Sequence, residues 1–425
     1  MTEAAPLRAM WDDLVPVGRD SSTGGYRRYA WSDADLTLRE WFAAEAARRG
    51  MPLVEDRNGN QFAWWGDPAV GDAVLTGSHL DSVPDGGAYD GPLGVVSGFA
   101  AVDALRTKGF QPARPIGVAN FVDEEGTRFG IACAGSRLLT GGLEPDRARA
   151  LRDRDGHTLA EVLRRHGRDP ERLGAEPELL RRIGTFVELH VEQGRGLVDD
   201  GAAVGVASAI WPHGRWRFEF HGRADHAGTT RMADRQDPML TYAMTALAAN
   251  KQARLADARA TFGRIEVEPG GTNAIPSRVR AWLDARAADE ETIAVLVGTI
   301  RRLATERAER DGTRLEVEAE SVSAATMFDV GLRDRVAAAV AGPDGAAVPV
   351  LPTGAGHDAG ILSTAGIPTA MLFVRNPTGV SHAPDEYAEF ADCEAGVAAL
   401  ARVLEDLAGP FDAGPLDAGS LDVGT

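Results

Sequence analysis

Five separated segments of this chain carry residues able to do chemistry. GSHLDSVPDGGAYDG, residues 77–91, offers His79, Asp81 and Asp90; VDEEG offers Asp123, Glu124 and Glu125; ELHVEQG offers His190, Glu192 and Gln193; GAGHDA offers Gly356, His357 and Asp358; SHAPDEY offers His382. Imidazole and carboxylate donors without thiolates suit Zn2+ or Mn2+ first and Co2+ or Ni2+ next. Five protein ligands overfill one catalytic cation that must keep an open position, but they suit two divalent metal ions sharing a carboxylate. Asp90, in the GGAYDG loop, is the candidate bridge. Asp81 stands two residues from His79, close enough to take the second imidazole N–H and orient the ring. Of Glu124 and Glu125, one would ligate and the other would stay free as a general base for a metal-bound water. The loop glycines would let the backbone fold back so that residues 79 and 90 meet.

The elements that must position these residues are marked by apolar runs. AVLTG (73–77), IGVANFV (116–122), TFVELHV (185–191), VPVL (348–351) and PTAMLFV (368–374) bring up the five clusters, and they alternate with helical stretches. This reads as an α/β catalytic domain with a largely parallel sheet flanked by helices. In such sheets ligands bind outside the carboxyl ends of the strands, so the clusters converge on one edge. Ser32 and Asp35 form a capping-box pattern before a helix that stops at Gly50. From residue 207 the texture changes to period-two alternation in RWRFEFHGRA, FGRIEVE, VRAWLDARA and TRLEVEAESV. An inserted α+β domain over 207–325 is expected, with a four-stranded antiparallel sheet and two helices. The catalytic domain is then discontinuous, 1–206 and 326–407, and the Pro-, Gly- and Asp-rich segment 408–425 is expected as a disordered tail.

The formal net charge of -18 repels phosphate, which argues against nucleic acid and anionic membrane surfaces as partners. An anionic substrate therefore needs a local cationic pocket. The chain shows no apolar run of about 18 residues. Its N-terminal MTEAAPLRAMWDDL carries acids rather than an apolar core, so a cytoplasmic protein is expected. Cys133 and Cys393 lack CxxC spacing and are expected as buried, reduced thiols.

In this order, GSHLDSVPDGGAYDGPLGV, DEEGTRFG, ELHVEQG, HAGTTRM, TNAIPSR, GAGHDA and SHAPDEY resemble the hydantoinase/carbamoylase branch of the dinuclear metallopeptidase-type amidohydrolases. That branch includes allantoate amidohydrolases, N-carbamoyl-L-amino-acid hydrolases and β-ureidopropionases. The resemblance implies that His79, Asp90 and His190 hold one metal ion, that Asp90, Glu125 and His382 hold the other, and that Glu124 is the base. It implies that the inserted domain is a lid through which a homodimer forms, with His226 of ADHAGTT reaching the partner's site to polarise the scissile carbonyl. Gln193, Asn273, Arg286, Gly356 and His357 would contact a small anionic substrate, although His357 could instead ligate or leave loop shaping to the backbone. His190 stands where related exopeptidases more often carry an acid. This favours cleavage of ureido or N-carbamoyl acids, with release of CO2 and ammonia, over peptide cleavage. Allantoate ranks first on resemblance and N-carbamoyl-L-amino acids next. The chain departs from the family at Arg231, where proline usually follows HAGTT, and at His213 in WPHGRW. An extra cation there would suit an N-formyl or N-carbamoyl dicarboxylic acid such as N-formylglutamate. A dipeptidase or aminoacylase of the same architecture, and a catalytically dead binding protein on this fold, are the remaining readings.

Overall fold

The computed structural model describes residues 4–341 and 345–411. The chain divides into two compact units, one over 1–208, 328–351 and 356–425, the other over 209–327 and 352–355. The first begins with β1 (Leu53–Glu55), β2 (Gln61–Trp65), β3 (Ala73–His79), β4 (Ile116–Phe121), β5 (Ile183–Val191) and β6 (Val204–Ile210). The second carries β7 (His213–His221), β8 (Asp225–His226), β9 (Arg259–Glu268), β10 (Ala274–Ile275), β11 (Arg278–Arg286), β12 (Arg314–Ser323) and β13 (Thr326–Met327). β14 (Val350–Thr353) and β15 (Thr369–Val374) complete the set.

In the first unit the strand order is β1-β2-β4-β3-β5-β15-β6, with β14 also pairing β6. β4, β3, β5 and β15 run parallel, whereas β1 with β2, β2 with β4, and β15 with β6 are antiparallel. The sheet is therefore mixed, and the expected parallel character holds only at its centre. One cause is local: a tight turn at Asn58-Gly59 makes β1 and β2 a hairpin, a pairing that apolar periodicity does not reveal. β3, β4 and β15 are buried along their whole length, which is why they read as continuous apolar runs. Phe99 on the helix Pro92–Thr107 and Leu400 and Leu404 on the helix Phe390–Ala408 share a core with Val187, Leu189 and Leu372. Each such buried Leu or Phe contributes about 1.5–3 kcal/mol.

Two local expectations need correction. VPVL is not a buried central strand: β14 begins at Val350, is half exposed and lies against β6. Pro349 and Pro352 lack the N–H a central strand needs. The expected tail is paired as far as Phe411, with Gly409 O accepting from Ala113 N and Phe411 N donating to Gln111 O, each at 2.8 Å. Its remainder, 412–425, lies outside the described residues. The helix Asp33–Arg48 starts at Ser32, whose Oγ accepts from Asp35 N at 3.4 Å. Asp35 itself accepts from Trp31 N, so only half of the capping box forms.

The second unit holds a four-stranded antiparallel sheet, order β12-β7-β11-β9, and the helices Pro238–Leu255 and Glu290–Asp311. Alternate residues of β11 are buried, and Val279 and Leu283 join Phe218, Phe220, Leu296 and Ile300 in one core. A ribbon of β8 with β10 was not anticipated, because two residues are too few to show a period. Residues 352–355 also group with this unit, and no sequence pattern marks them for it. Among the described residues no helix is long and apolar enough to cross a membrane.

Candidate active site

The carboxyl ends of β3, β4, β5 and β15 bring His79, Glu124 and Glu125, His190 and His382 around Asp90. Asp90 Oδ1 lies 3.1 Å from His190 Nε2 and 3.8 Å from His79 Nε2. Its Oδ2 lies 3.2 Å from His382 Nε2 and accepts from Gln193 Nε2 at 2.9 Å and from Ser381 Oγ at 3.2 Å. Glu125 Oε2 is 3.6 Å from His382 Nε2. The donor atoms of His79, Asp90 and His190 form one group, and those of Asp90, Glu125 and His382 a second, each within 4.8 Å. Glu188, His190 and His357 form a third, with the His357 ring 4.5 Å from that of His190.

The backbone around these groups is tightly specified. Asp81 accepts from Glu124 N and Glu125 N, each at 3.1 Å, while His79 Nδ1 lies 3.1 Å from its main-chain oxygen and 3.4 Å from its Oδ1. Asp81 thus ties the His79 ring to the turn that bears both glutamates. Gly91 has φ 87°, and a Cβ there would sit 2.4 Å from the His79 ring, so neither backbone nor space admits a side chain. Asp123, Cys133 and His382 adopt left-handed φ of 56°, 55° and 57°. Strain of this kind concentrates at functional sites.

Burial and crowded charge set the protonation tendencies. Burial pushes the Glu124 carboxyl well above the usual range, partly offset by His79, 3.7 Å away. Glu125 is pushed up to about 7 by burial and by the charge of Asp90. Against its own burial, Asp90 is held well below the carboxylate range by hydrogen bonds from His190 and His382. His382 rises to about 9: desolvation works against this, and the Asp90 hydrogen bond and the Glu125 charge outweigh it. His79 rises for the same reason, through Glu124 and Asp81. The donors fit divalent cations, being imidazole nitrogens and carboxylate oxygens in two sets that share one carboxylate. His79 Nε2 and Glu125 Oε1 are also buried without a hydrogen-bond partner, which costs about 1–3 kcal/mol each until something ligates them.

The remaining expected residues divide between the units. Gln193 faces Asp90, and Gly356 and His357 precede the helix Asp358–Thr364. In the second unit the ribbon joins His226 to Ala274, and Ala227 N donates to Asn273 O at 3.0 Å, so His226 and Asn273 are neighbours. His226 Nδ1 accepts from Gly228 N and Thr229 N at 2.9 and 3.2 Å, which places the ring proton on Nε2. Arg286 ends β11, binds Asp284 through Nε and Nη2 at 2.8 and 3.1 Å, and donates to Gly354 O at 2.7 Å. At about 3.3 Å per residue, β11 holds Arg286 roughly 26 Å from the end that adjoins the ribbon. Within one copy Arg286 thus stands at the end of β11 away from the ribbon that carries His226 and Asn273. Arg231 donates to Asp234 at 2.7 Å and is 82% exposed, so its charge is met locally. His213 Nδ1 faces Trp211 O at 3.0 Å, and burial pushes its pKa down.

Sequence reasoning missed several residues here. Glu386 and Ser381 both stood in SHAPDEY, of which only the histidine was used. Cys133 donates to Glu124 Oε1 at 3.3 Å, a contact that no spacing announces. Glu188 accepts from Ser78 Oγ and Ala359 N, and Asp358 from Ser136 Oγ. Glu192, grouped by sequence with the candidate ligands, instead accepts from Gly196 N and Leu197 N and caps a turn.

A mixed α/β sheet with two imidazole–carboxylate groups at its strand ends, in a chain that also carries a separate four-stranded antiparallel sheet, defines a hydrolase of metallopeptidase type. The chain belongs to peptidase family M20/M25/M40, whose model matches residues 75–406. It is 36% identical to an N-carbamoyl-L-amino acid amidohydrolase of Geobacillus stearothermophilus, over 94% of this chain and 98% of that protein. It is 30% identical to the allantoate amidohydrolase of Escherichia coli (strain K12), over 93% and 96%. The crystal structure of AtUAH in complex with (S)-hydroxyglycine matches with a TM-score of 0.86 at 31% identity, covering 96% of this chain and 98% of that one. The motifs had pointed to this hydantoinase/carbamoylase branch, and the chain is an amidohydrolase of it.

Proposed function

We propose that the chain hydrolyses a C–N bond of a small N-carbamoyl or ureido acid, releasing CO2 and ammonia. The observation that carries this is Asp90, shared between two histidine–carboxylate groups with Glu124 beside them. N-carbamoyl-L-amino acids take first place over allantoate, because the relative of that name is the more similar of the two. His79, Asp90 and His190 would hold one divalent cation, and Asp90, Glu125 and His382 a second. Bound there, the pair supplies Lewis acidity toward water and toward a carbonyl oxygen.

The chain's own residues do the rest. Glu124 takes a proton from the attacking water and returns it to the leaving nitrogen. Its Oε1 is occupied by the Cys133 thiol, which leaves Oε2 for the proton. His226, with its ring proton on Nε2, donates to the carbonyl oxygen as charge develops there. The roughly 26 Å of strand between the ribbon and Arg286 is longer than a small substrate, so His226 and Asn273 serve the site of a second copy. This supports a homodimer formed through the second unit.

The test is ammonia release from allantoate, N-carbamoyl-L-amino acids and N-formyl acids with Mn2+, Zn2+, Co2+ or Ni2+ added, and dipeptides as controls. Turnover of a carbamoyl or ureido acid is expected; hydrolysis of dipeptides alone would overturn the reading.

A further inference from the structure

We propose that Glu386 is a positioning residue that aims Asp90 between the two groups it serves. Its carboxylate is 4% exposed and holds two loops almost 300 residues apart in sequence. Oε1 accepts from Tyr89 N at 2.8 Å and Asp90 N at 2.9 Å, fixing the peptide that carries Asp90. Oε2 lies 3.2 Å from Ser381 Oγ, and that hydroxyl is 3.2 Å from Asp90 Oδ2. Glu386 therefore grips Asp90 directly through its main chain, and at the side chain it shares with Asp90 Oδ2 the single proton of the Ser381 hydroxyl. Ser381 also immediately precedes His382, so the same carboxylate sets one loop carrying the shared acid and one carrying a histidine of the second group.

Gly87 makes this approach possible. A Cβ at Gly87 would stand 2.3 Å from Glu386 Cβ and 2.4 Å from its Oε1. Any side chain there pushes the carboxylate away from Tyr89 and Asp90. A charge contribution and a positioning contribution separate cleanly in Glu386→Gln. The amide oxygen can still accept both main-chain N–H groups, and the amide nitrogen can donate to Ser381 Oγ, whose own proton then goes to Asp90 Oδ2.

The inference rests on Asp90 being shared by two cations, and the experiment keeps the two apart. Mn2+ is titrated into wild type, Glu386→Gln, Glu386→Ala and Gly87→Ala, following stoichiometry, affinity and the exchange-coupled electron paramagnetic resonance signal of a bridged pair. Wild type should bind two ions with a coupled signal; failure there overturns the two-cation reading itself. Given that, Glu386→Ala and Gly87→Ala should weaken the second ion by about 10–100-fold and lose the coupled signal. Glu386→Gln should stay within about threefold of wild type and keep it. Equal damage from Gln and Ala would make the role electrostatic and overturn positioning, as would a coupled signal surviving in Glu386→Ala.

Discussion

Asp81→Asn removes a charge at almost constant shape, and its cost can be worked from the hydrogen bonds it disturbs. Asp81 is 3% exposed, and its two oxygens accept from Glu124 N and Glu125 N, each at 3.1 Å. An asparagine oxygen can keep one of these donors, but its amide nitrogen then faces the other N–H. The loss is one hydrogen bond to a charged acceptor, about 1.5–3 kcal/mol, plus a buried N–H left opposite another donor, about 1–3 kcal/mol. Together these amount to about 2.5–6 kcal/mol, which at about 2.1 cal/mol/K of unfolding entropy per residue lowers Tm by roughly 3–7 °C in a protein of this size. Because Asp81 also faces His79 Nδ1, the turn bearing the glutamates loses its tie to the ring, and metal affinity should fall by about 10–100-fold. Calorimetry of the metal-free protein gives the first quantity and chelator competition the second. Asp81→Ala is the companion variant: it gives up both bonds but leaves room for water rather than a donor clash, so it should melt no lower than the asparagine variant. If Asp81→Asn melted within about 1 °C of wild type and held metal equally well, the assignment of Asp81 as the tie would be wrong.

Glu124→Gln should retain its metal content while kcat falls by about 10²–10⁴-fold, and a near-wild-type rate would assign the base elsewhere. His226→Ala and Arg286→Ala should each be inactive alone. After subunit exchange about half of the dimers are hybrids with one intact site, so about a quarter of wild-type activity should return; none returning would refute the cross-subunit arrangement. Metal binding should also release protons. His382, with its pKa at about 9, and His79, raised above the ordinary histidine value, carry protons at neutral pH in the metal-free chain and must lose them to ligate. Affinity should therefore weaken as pH falls below about 9, by roughly tenfold per unit for each proton displaced, and chelator titrations giving the same affinity at pH 6 and pH 9 would contradict this.

The candidate ligands were legible because chemistry and placement coincided. Histidines and acids after buried apolar runs fall at one sheet edge when those strands run parallel, as β3, β4, β5 and β15 do, so the antiparallel strands outside them left that convergence intact. Glu386 was not legible for the opposite reason. Its partners, Tyr89 N and Asp90 N, lie almost 300 residues away, and a main-chain N–H has no signature in a sequence. Cys133 was read as a plain buried thiol, which it is, but its contact with Glu124 depends on two turns meeting. Arg231 is a different case, since Asp234 stands three residues on, a spacing that already offered a partner for the guanidinium.

The separation of the residues expected to contact substrate results from strand length. Asn273 precedes, and Arg286 ends, a run whose period-two alternation continues for nine residues. A nine-residue strand is about 26 Å long from first to last Cα, whereas a small carbamoyl acid is far shorter. Two contacts at opposite ends of one strand cannot close on the same small molecule. If both His226 with Asn273 and Arg286 bind substrate, the ribbon must come from one copy and the strand end from another. The hybrid-dimer experiment therefore examines a consequence of spacing along β11, and a monomer with full activity would show that one of these residues binds no substrate at all.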